Sequence, residues 1–354
     1  SVCAAAIIAL TINARAYQGM AVPKLHVSGR FLQNTSNQNV LLHGYCMAAD
    51  AWFNGQNALY TDPSDYTSSS QCAGMLKIYN GVADILSTTN ALYGKTHGWY
   101  TGYVRLVGAG TSSGFAPGWA TNGTLSSSAQ FNGWISNVLV PWINHCKSKG
   151  IYVIICGDPS ETYPGGDTGK NMTQQYQQNL TTYWTTVANA AGVKSADNVM
   201  FEICNEPINI ETSFGANNWA SSGSSYFSAL KNFMQPIVNA IRNTGADNVI
   251  LVPSLGYQGQ CQGFAGYPVS GANIAYSGHY YPGYNNVHDN TSAVQSFWNS
   301  NYKPCADNYP LVITEMFWDP NDGSGYQNLW NATTAGFGNA VKSCIDTEGN
   351  VSYL

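Results

Sequence analysis

The segment NVMFEICNEPIN, residues 198–209, has the pattern of a buried strand that ends in polar residues and a proline. Side chains alternate between the two faces of a strand, so we expect Glu202 and Glu206 to share one face. Pro207 has no N–H to donate to a neighbouring strand, and a strand is therefore expected to end here. If the strand lines a closed barrel, Glu206 lies at the rim of that barrel.

Short apolar runs of this kind recur along the chain, and longer segments with helical patterns lie between them. Two of these helical patterns, residues 130–150 and 224–245, end at a glycine. Alternating strands and helices with eight strands are typical of an α/β fold, the (β/α)8 TIM barrel, whose active site lies at the carboxyl ends of the strands. A doubly wound open sheet is the alternative. The predicted strands are residues 40–46, 103–107, 151–156, 199–204, 249–252, 274–277, 311–314 and 351–354.

The amino-terminal residues carry two further patterns. Residues 2–12 form an apolar run, and Ala14-Arg15-Ala16 is the small-x-small pattern of a signal-peptidase site. We interpret residues 1–16 as a partial signal peptide, with a buried helix as the alternative, and expect a secreted, periplasmic or cell-surface protein. Residues 17–354 are predicted to form a single (β/α)8 domain, and residues 24–44 an N-terminal hairpin that closes the barrel floor.

Charged residues form only 9% of the chain, whereas ordinary soluble domains contain about 25%. The net charge is −5 and no run of Lys or Arg occurs. Binding to nucleic acid or to anionic membranes requires a basic surface, so neither partner is expected. Uncharged polar residues, glycine and 13% aromatics make up much of the remainder, which favours neutral ligands.

The cysteines and histidines do not form metal-binding patterns. No CxxC or HxxxH spacing occurs, so we predict neither a metal site nor any other cofactor. Cys156 and Cys204 lie in apolar runs and are interpreted as core residues. Disulfide pairing is left open for the remaining cysteines of residues 17–354, which are Cys46, Cys72, Cys146, Cys261, Cys305 and Cys344.

A second carboxylate follows an apolar run in YPLVITEMFWDP, residues 309–320. Glu315 comes after that run as Glu206 comes after its own. In a count of eight strands, the two residues end strands four and seven and face each other across the barrel mouth. Hydrolysis of a glycoside requires two such carboxyls, one to protonate the leaving oxygen and one to attack or to activate water. Glu202 lies lower in the barrel and is interpreted as a structural carboxyl.

Because of the residues at its strand ends, the chain resembles glycoside hydrolase family 5, a cellulase-containing family in the clan of (β/α)8 retaining glycosidases. The order and strand positions of the matching residues agree over nearly the whole of residues 17–354. Those residues are Arg105, Asn205-Glu206-Pro207, His279, Tyr281 and Glu315.

The resemblance implies a role for each matching residue. Glu206 would be the general acid/base and Glu315 the nucleophile. Asn205 would bind the 2-hydroxyl of the sugar. Arg105 and Tyr281 would hydrogen-bond Glu315, and His279 would lie beside Glu206.

The sequence departs from the family pattern at two places. Many members carry a histidine after the third strand, where this chain has Asp158. The family also places a tryptophan beyond the eighth strand, whereas this chain ends at GNVSYL, residues 349–354. We therefore expect an eighth βα unit that is truncated.

Aromatic residues are frequent in the segments that follow predicted strands. The apolar C–H faces of pyranose rings stack on such side chains, so a row of them would bind a linear neutral glycan. Packing within the loops is the alternative for each. The candidates for substrate binding are Trp52, Phe53, Trp119, Tyr284 and Trp318.

Together these features predict a secreted, monomeric, retaining endo-β-1,4-glucanase that hydrolyses internal bonds of a cellulose-like polysaccharide without a cofactor. A β-mannanase or xyloglucanase is the alternative within the same fold. A non-catalytic carbohydrate-binding barrel is the alternative from another class, and such a protein would lack one of the two carboxylates.

Overall fold

Most of the apolar runs form strands that are buried along their whole length, as expected for a parallel sheet covered on both faces. The computed structural model describes residues 21–47, 63–97, 101–107, 128–157, 170–215, 224–322 and 328–354. The strands are β1 (His26–Ser28), β2 (Phe31–Gln33), β3 (His43–Met47), β4 (Thr101–Leu106), β5 (Tyr152–Cys156), β6 (Lys170–Met172), β7 (Val199–Glu202), β8 (Pro207–Ile210), β9 (Ile250–Pro253), β10 (Ile274–His279), β11 (Leu311–Glu315) and β12 (Val351–Tyr353).

Eight of these strands close into a barrel in the order β3-β4-β5-β7-β9-β10-β11-β12. Every neighbouring pair is parallel, including β12 with β3. Each predicted strand overlaps one of these eight, so the (β/α)8 fold is confirmed and the open sheet is wrong. Glu206 follows the fourth barrel strand and Glu315 ends the seventh, as predicted.

α-Helices lie between successive barrel strands except between β9 and β10, where the described chain has a 3-10 helix, Gln262–Ala265. The predicted helix at 130–150 is two helices joined by a π-helical turn, Ile135–Leu139. The predicted helix at 224–245 ends at Asn243, and the glycine at 245 has a φ of +83°. The helices are α1 (Ser69–His97), α2 (Ser128–Trp134), α3 (Val140–Ser148), α4 (Gln174–Asn189), α5 (Ala191–Lys194), α6 (Ser224–Asn243), α7 (Thr291–Asn301), α8 (Lys303–Ala306) and α9 (Asn339–Glu348).

The side chains of β4 show how the barrel wall separates two regions. Val104 and Leu106 point outward into the apolar layer between strands and helices. Tyr103 points inward, into a second apolar cluster that includes Leu32 of the hairpin β1–β2 and Met200 of β7. The predicted hairpin is therefore present, and its apolar side chain packs with the residues inside the barrel. Arg105 is the next inward residue of β4, and a polar layer begins at its level.

Two further observations concern the described part of the chain. Its eight cysteines are all free thiols, so none of the disulfide pairings that the sequence left open is formed among them. None of the described helices combines the length and the apolar character that crossing a membrane requires.

Candidate active site

Arg105 is the centre of the polar layer inside the barrel. Its side chain is fully buried, and all its N–H groups have acceptors. Nε donates to Glu202 Oε2 at 2.5 Å, Nη1 to Glu315 Oε1 at 2.7 Å, and Nη2 to Asn205 Oδ1 at 2.8 Å. Sulfur atoms accept the two remaining N–H groups, Cys46 Sγ at 3.5 Å from Nη1 and Cys156 Sγ at 3.4 Å from Nη2. The guanidinium therefore has one fixed orientation.

Electrostatics keep this arginine charged and the lower carboxylate ionised. Burial alone would lower the pKa of Arg105, but nearby Glu202, the two thiols and Glu315 raise it well above the ordinary value. Burial would raise the pKa of Glu202, but Arg105 lowers it below the usual value for a glutamate. Glu202 also accepts hydrogen bonds from Gln258 Nε2 at 3.1 Å and Thr314 Oγ1 at 3.0 Å. These contacts are those of the structural carboxyl that the sequence predicts.

Glu315 lies at the carboxyl end of β11, with its side chain 19% exposed. Besides Arg105, it accepts a hydrogen bond from the Tyr281 hydroxyl at 2.7 Å, and His279 Nδ1 lies 3.5 Å from its Oε2. Burial would raise the pKa of Glu315, but His279, Arg105 and the Tyr281 hydroxyl together lower it below the ordinary value. This carboxylate therefore remains ionised under mildly acidic conditions.

Glu206 occupies a bend that follows β7. The strand ends at Glu202, and the φ angle of Glu206 is +42°, in the left-handed region. The predicted alternation of side chains therefore does not reach Glu206. Ile203 and Cys204 both pack in the outer apolar layer, whereas Asn205 contacts Arg105 inside the barrel. The bend brings both Asn205 and Glu206 to the barrel mouth.

His279 lies between the two strand-end carboxylates. Its Nδ1 is 3.1 Å from Glu206 Oε1, and a shift in register between Gly278 and His279 pairs His279 with Glu315. While Glu206 is ionised its oxygen can only accept, so Nδ1 is then the donor of this hydrogen bond. Nε2 of His279 is buried without a hydrogen-bond partner in the described structure.

The same three side chains form the one group in the described structure with the spacing of a cation site. A nitrogen of His279 and one oxygen each of Glu206 and Glu315 lie within 4.8 Å of one another. A cation bound to Nδ1 would have to displace the hydrogen bond that this nitrogen makes to Glu206. The predicted site residues Arg105, Asn205, Glu206, His279, Tyr281 and Glu315 are thus brought together at one end of the barrel.

Two of the five predicted aromatic residues lie in the described structure. The Tyr284 hydroxyl donates to the backbone carbonyl of Tyr257 at 2.8 Å, and its ring lies edge-on to Tyr281 with centroids 5.7 Å apart. The Trp318 indole N–H donates to Thr334 Oγ1 at 3.0 Å. Both rings are half-buried. Trp52, Phe53 and Trp119 lie outside the described residues, as does Asp158.

Several residues of the site are absent from the sequence prediction. Gln258 is fully buried and contacts both Glu202 and the backbone of Glu206. Phe317, two residues beyond Glu315, is 52% exposed. Cys46, predicted only as a candidate for a disulfide, contacts Arg105, and burial raises the pKa of its thiol to about 12. The sequence indicates these three residues only by their position, because each lies within or shortly after a predicted strand.

Residues 79–340 match the family model of cellulase, glycosyl hydrolase family 5. No curated protein matches the chain in sequence.

Solved structures share the fold. A β-glucanase from Saccharophagus degradans superposes with a TM-score of 0.62 at 16% identity, over 96% of this chain and 87% of that chain. The catalytic domain of an endoglucanase from Thermobifida fusca gives a TM-score of 0.57 at 17% identity, over 93% of this chain and 83% of that chain. Because the family model spans most of the chain, the resemblance found in the sequence is confirmed, and the chain belongs to the cellulases of glycosyl hydrolase family 5.

Proposed function

We propose that this glycoside hydrolase is a secreted, retaining endo-β-1,4-glucanase, with Glu206 as general acid/base and Glu315 as nucleophile. The observation that carries the proposal is the pair of strand-end carboxylates on either side of His279, with oxygens within 4.8 Å of each other. Retaining glycosidases have carboxyl groups about 5 Å apart, whereas inverting enzymes need a wider gap for a water molecule. The close pair therefore supports the retaining mechanism.

The environment of Glu315 suits a nucleophile. Its pKa is held below the ordinary value by His279, Arg105 and Tyr281 despite burial, so it is ionised when substrate binds. In the first step its oxygen forms a bond to the anomeric carbon, while the bond to the leaving oxygen breaks and Glu206 gives that oxygen a proton. In the second step, Glu206 takes a proton from water, which attacks the anomeric carbon and releases Glu315.

The contacts of Asn205 and the low charge of the protein indicate which class of substrate the site binds. Since Asn205 Oδ1 accepts from Arg105, its amide NH2 group remains available to donate to the 2-hydroxyl of the sugar. The low fraction of charged residues, 9%, favours a neutral glycan. The S. degradans β-glucanase has been crystallised in complex with cellotetraose, and this supports a β-1,4-linked glucan as the substrate here.

The remaining parts of the proposal rest on the sequence. The Ala14-Arg15-Ala16 pattern supports secretion. Polymeric cellulose lies outside the cell, which agrees with secretion. We propose that the enzyme acts as a monomer whose partner is the polysaccharide.

The proposed activity is tested with a panel of soluble polymers. We expect release of reducing ends and a rapid fall in viscosity with a cellulose derivative, and slower hydrolysis of glucomannan and xyloglucan. Proton NMR of the first product should show the β-anomer, because two displacements retain configuration. Faster hydrolysis of mannan or xyloglucan would reassign the substrate, an α-anomer would exclude the retaining mechanism, and binding without hydrolysis would favour the carbohydrate-binding alternative.

The two carboxylates are distinguished by paired substitutions. Glu206→Ala should retain cleavage of a dinitrophenyl β-cellobioside, whose leaving group needs no protonation, and added azide should accelerate turnover by attacking the glycosyl-enzyme. Glu315→Ala should lose the covalent step and fall by about 10⁴-fold or more on both activated and polymeric substrates. Equal losses in the two variants on both substrates would contradict this assignment.

Tyr281→Phe tests the electrostatics of Glu315. Loss of the hydroxyl removes one of the groups that lower the pKa of Glu315, so that pKa should rise. The acidic limb of the kcat/KM profile should then move to higher pH by about one unit. Tyr45→Phe is the control, because Tyr45 is 48% exposed. It lies on the opposite face of β3 from Cys46, which contacts Arg105 inside the barrel. An unchanged acidic limb in Tyr281→Phe would contradict the role of this hydroxyl.

Trp318→Ala tests substrate binding beyond the reacting bond. The ring lies three residues after Glu315, and we expect polymer hydrolysis to fall about fivefold to tenfold more than hydrolysis of a short aryl glycoside, equivalent to about 1 kcal/mol of stacking. Trp318→Phe retains an aromatic face and should recover part of the loss. If Trp318→Ala lowers the unfolding midpoint but leaves the ratio of the two activities unchanged, Trp318 is a packing residue that contacts Phe337.

A further inference from the structure

The turn after β9 has an uncommon backbone conformation. Gly256, Tyr257 and Gln258 have φ angles of +64°, +55° and +59°. Non-glycine residues rarely adopt this region, and when they do so near a functional site the surrounding contacts must hold them there.

Contacts with three other parts of the site hold this turn. The N–H of Tyr257 donates to the carbonyl of Pro207 at 3.3 Å, and the N–H of His279 donates to the carbonyl of Gln258 at 3.0 Å. The Tyr284 hydroxyl donates to the carbonyl of Tyr257. The turn therefore joins the segment of Glu206, the end of β10 and Tyr284, a candidate for substrate binding.

The side chain of Gln258 completes these connections. Its Nε2 donates to Glu202 Oε1 at 3.1 Å and to Ser277 Oγ at 3.0 Å. Because Glu202 is ionised and can only accept, the amide orientation is fixed, with Oε1 on the other side. Oε1 accepts the backbone N–H of Glu206 at 2.8 Å. Every polar atom of this buried amide is used.

We propose that Gln258 is a positioning residue for the general acid/base. The inference rests on the proposed function. β7 ends at Glu202 and β8 begins at Pro207, so the Glu206 N–H lies in the gap between strands and donates to a side chain. By accepting this N–H, Gln258 holds Glu206 in its left-handed conformation and so sets the direction from which its carboxyl reaches the leaving oxygen.

Gln258→Met tests this role, since methionine retains the length of the side chain and removes its hydrogen bonds. Displacement of Glu206 should slow hydrolysis only of substrates whose leaving group needs a proton. We expect kcat/KM for phenyl β-cellobioside to fall about tenfold to a hundredfold more than for the dinitrophenyl analogue. Trapping of Glu315 by dinitrophenyl 2-deoxy-2-fluoro-β-cellobioside, followed by mass spectrometry, should keep a rate near that of the wild type.

Gln235→Met is the matched control. Gln235 also accepts a backbone N–H from a loop, that of Ser270 at 2.7 Å, and donates to the carbonyl of Ser270 at 2.8 Å. Ser270 precedes β10, at the amino end of the barrel strands, opposite the site. This variant should leave the ratio of the phenyl and dinitrophenyl activities unchanged.

Gln258→Glu supplies a second test if the methionine variant does not fold. When protonated, the new carboxyl can accept the Glu206 N–H and donate to Glu202, as the amide does. When ionised, it places a second negative charge beside Glu202. We expect a phenyl-to-dinitrophenyl activity ratio near that of the wild type at low pH, and a falling ratio, relative to the wild type, as pH rises.

The outcomes separate this inference from the proposed function. If the wild type hydrolyses neither glycoside and is not labelled at Glu315, the proposed function fails and the inference fails with it. If the wild type is active but Gln258→Met loses both activities and the trapping rate equally, only the positioning role is overturned. A Gln258→Glu ratio far below that of the wild type at low pH would also overturn it, because the protonated carboxyl keeps both contacts of the amide.

Discussion

The buried positive charge of Arg105 is the feature on which the rest of the site depends. One guanidinium binds Glu202 below and Glu315 above, and it fixes the amide of Asn205. Removing one partner of a buried ion pair leaves an uncompensated charge, at a cost of about 3–5 kcal/mol. Arg105 therefore stabilises the interior of the barrel and also keeps Glu315 ionised, so stability and chemistry share one contact network.

The two carboxylates at the mouth differ because their surroundings differ. Glu315 continues a regular strand and receives hydrogen bonds from Arg105 and Tyr281. Glu206 follows a bend in the left-handed region and contacts His279 and the amide of Gln258. Such backbone conformations cost about 1–3 kcal/mol each and persist only where other contacts hold them. The turn at Gln258 provides those contacts.

Much of the fold followed from the sequence, because apolar runs that are buried on both sides must be covered by other elements. The eight runs, such as 199–204 and 311–314, were sufficient to place Glu206 and Glu315 on the fourth and seventh barrel strands. Strand alternation failed beyond Glu202, because it applies only while the backbone remains extended. The left-handed angle at Glu206 is not encoded in a local pattern such as a glycine.

The sequence by itself determined the order of strands and helices, the two strand-end carboxylates and the strand arginine that precedes both of them in the chain. These depend on local hydrophobicity and on residue type, which a linear pattern records. Only the tertiary structure decided that Gln258 meets Glu206, that His279 is paired with Glu315 and that Cys46 contacts Arg105. Each of these contacts joins different parts of the barrel. Their distances depend on strand register and closure, which no segment of the chain specifies alone.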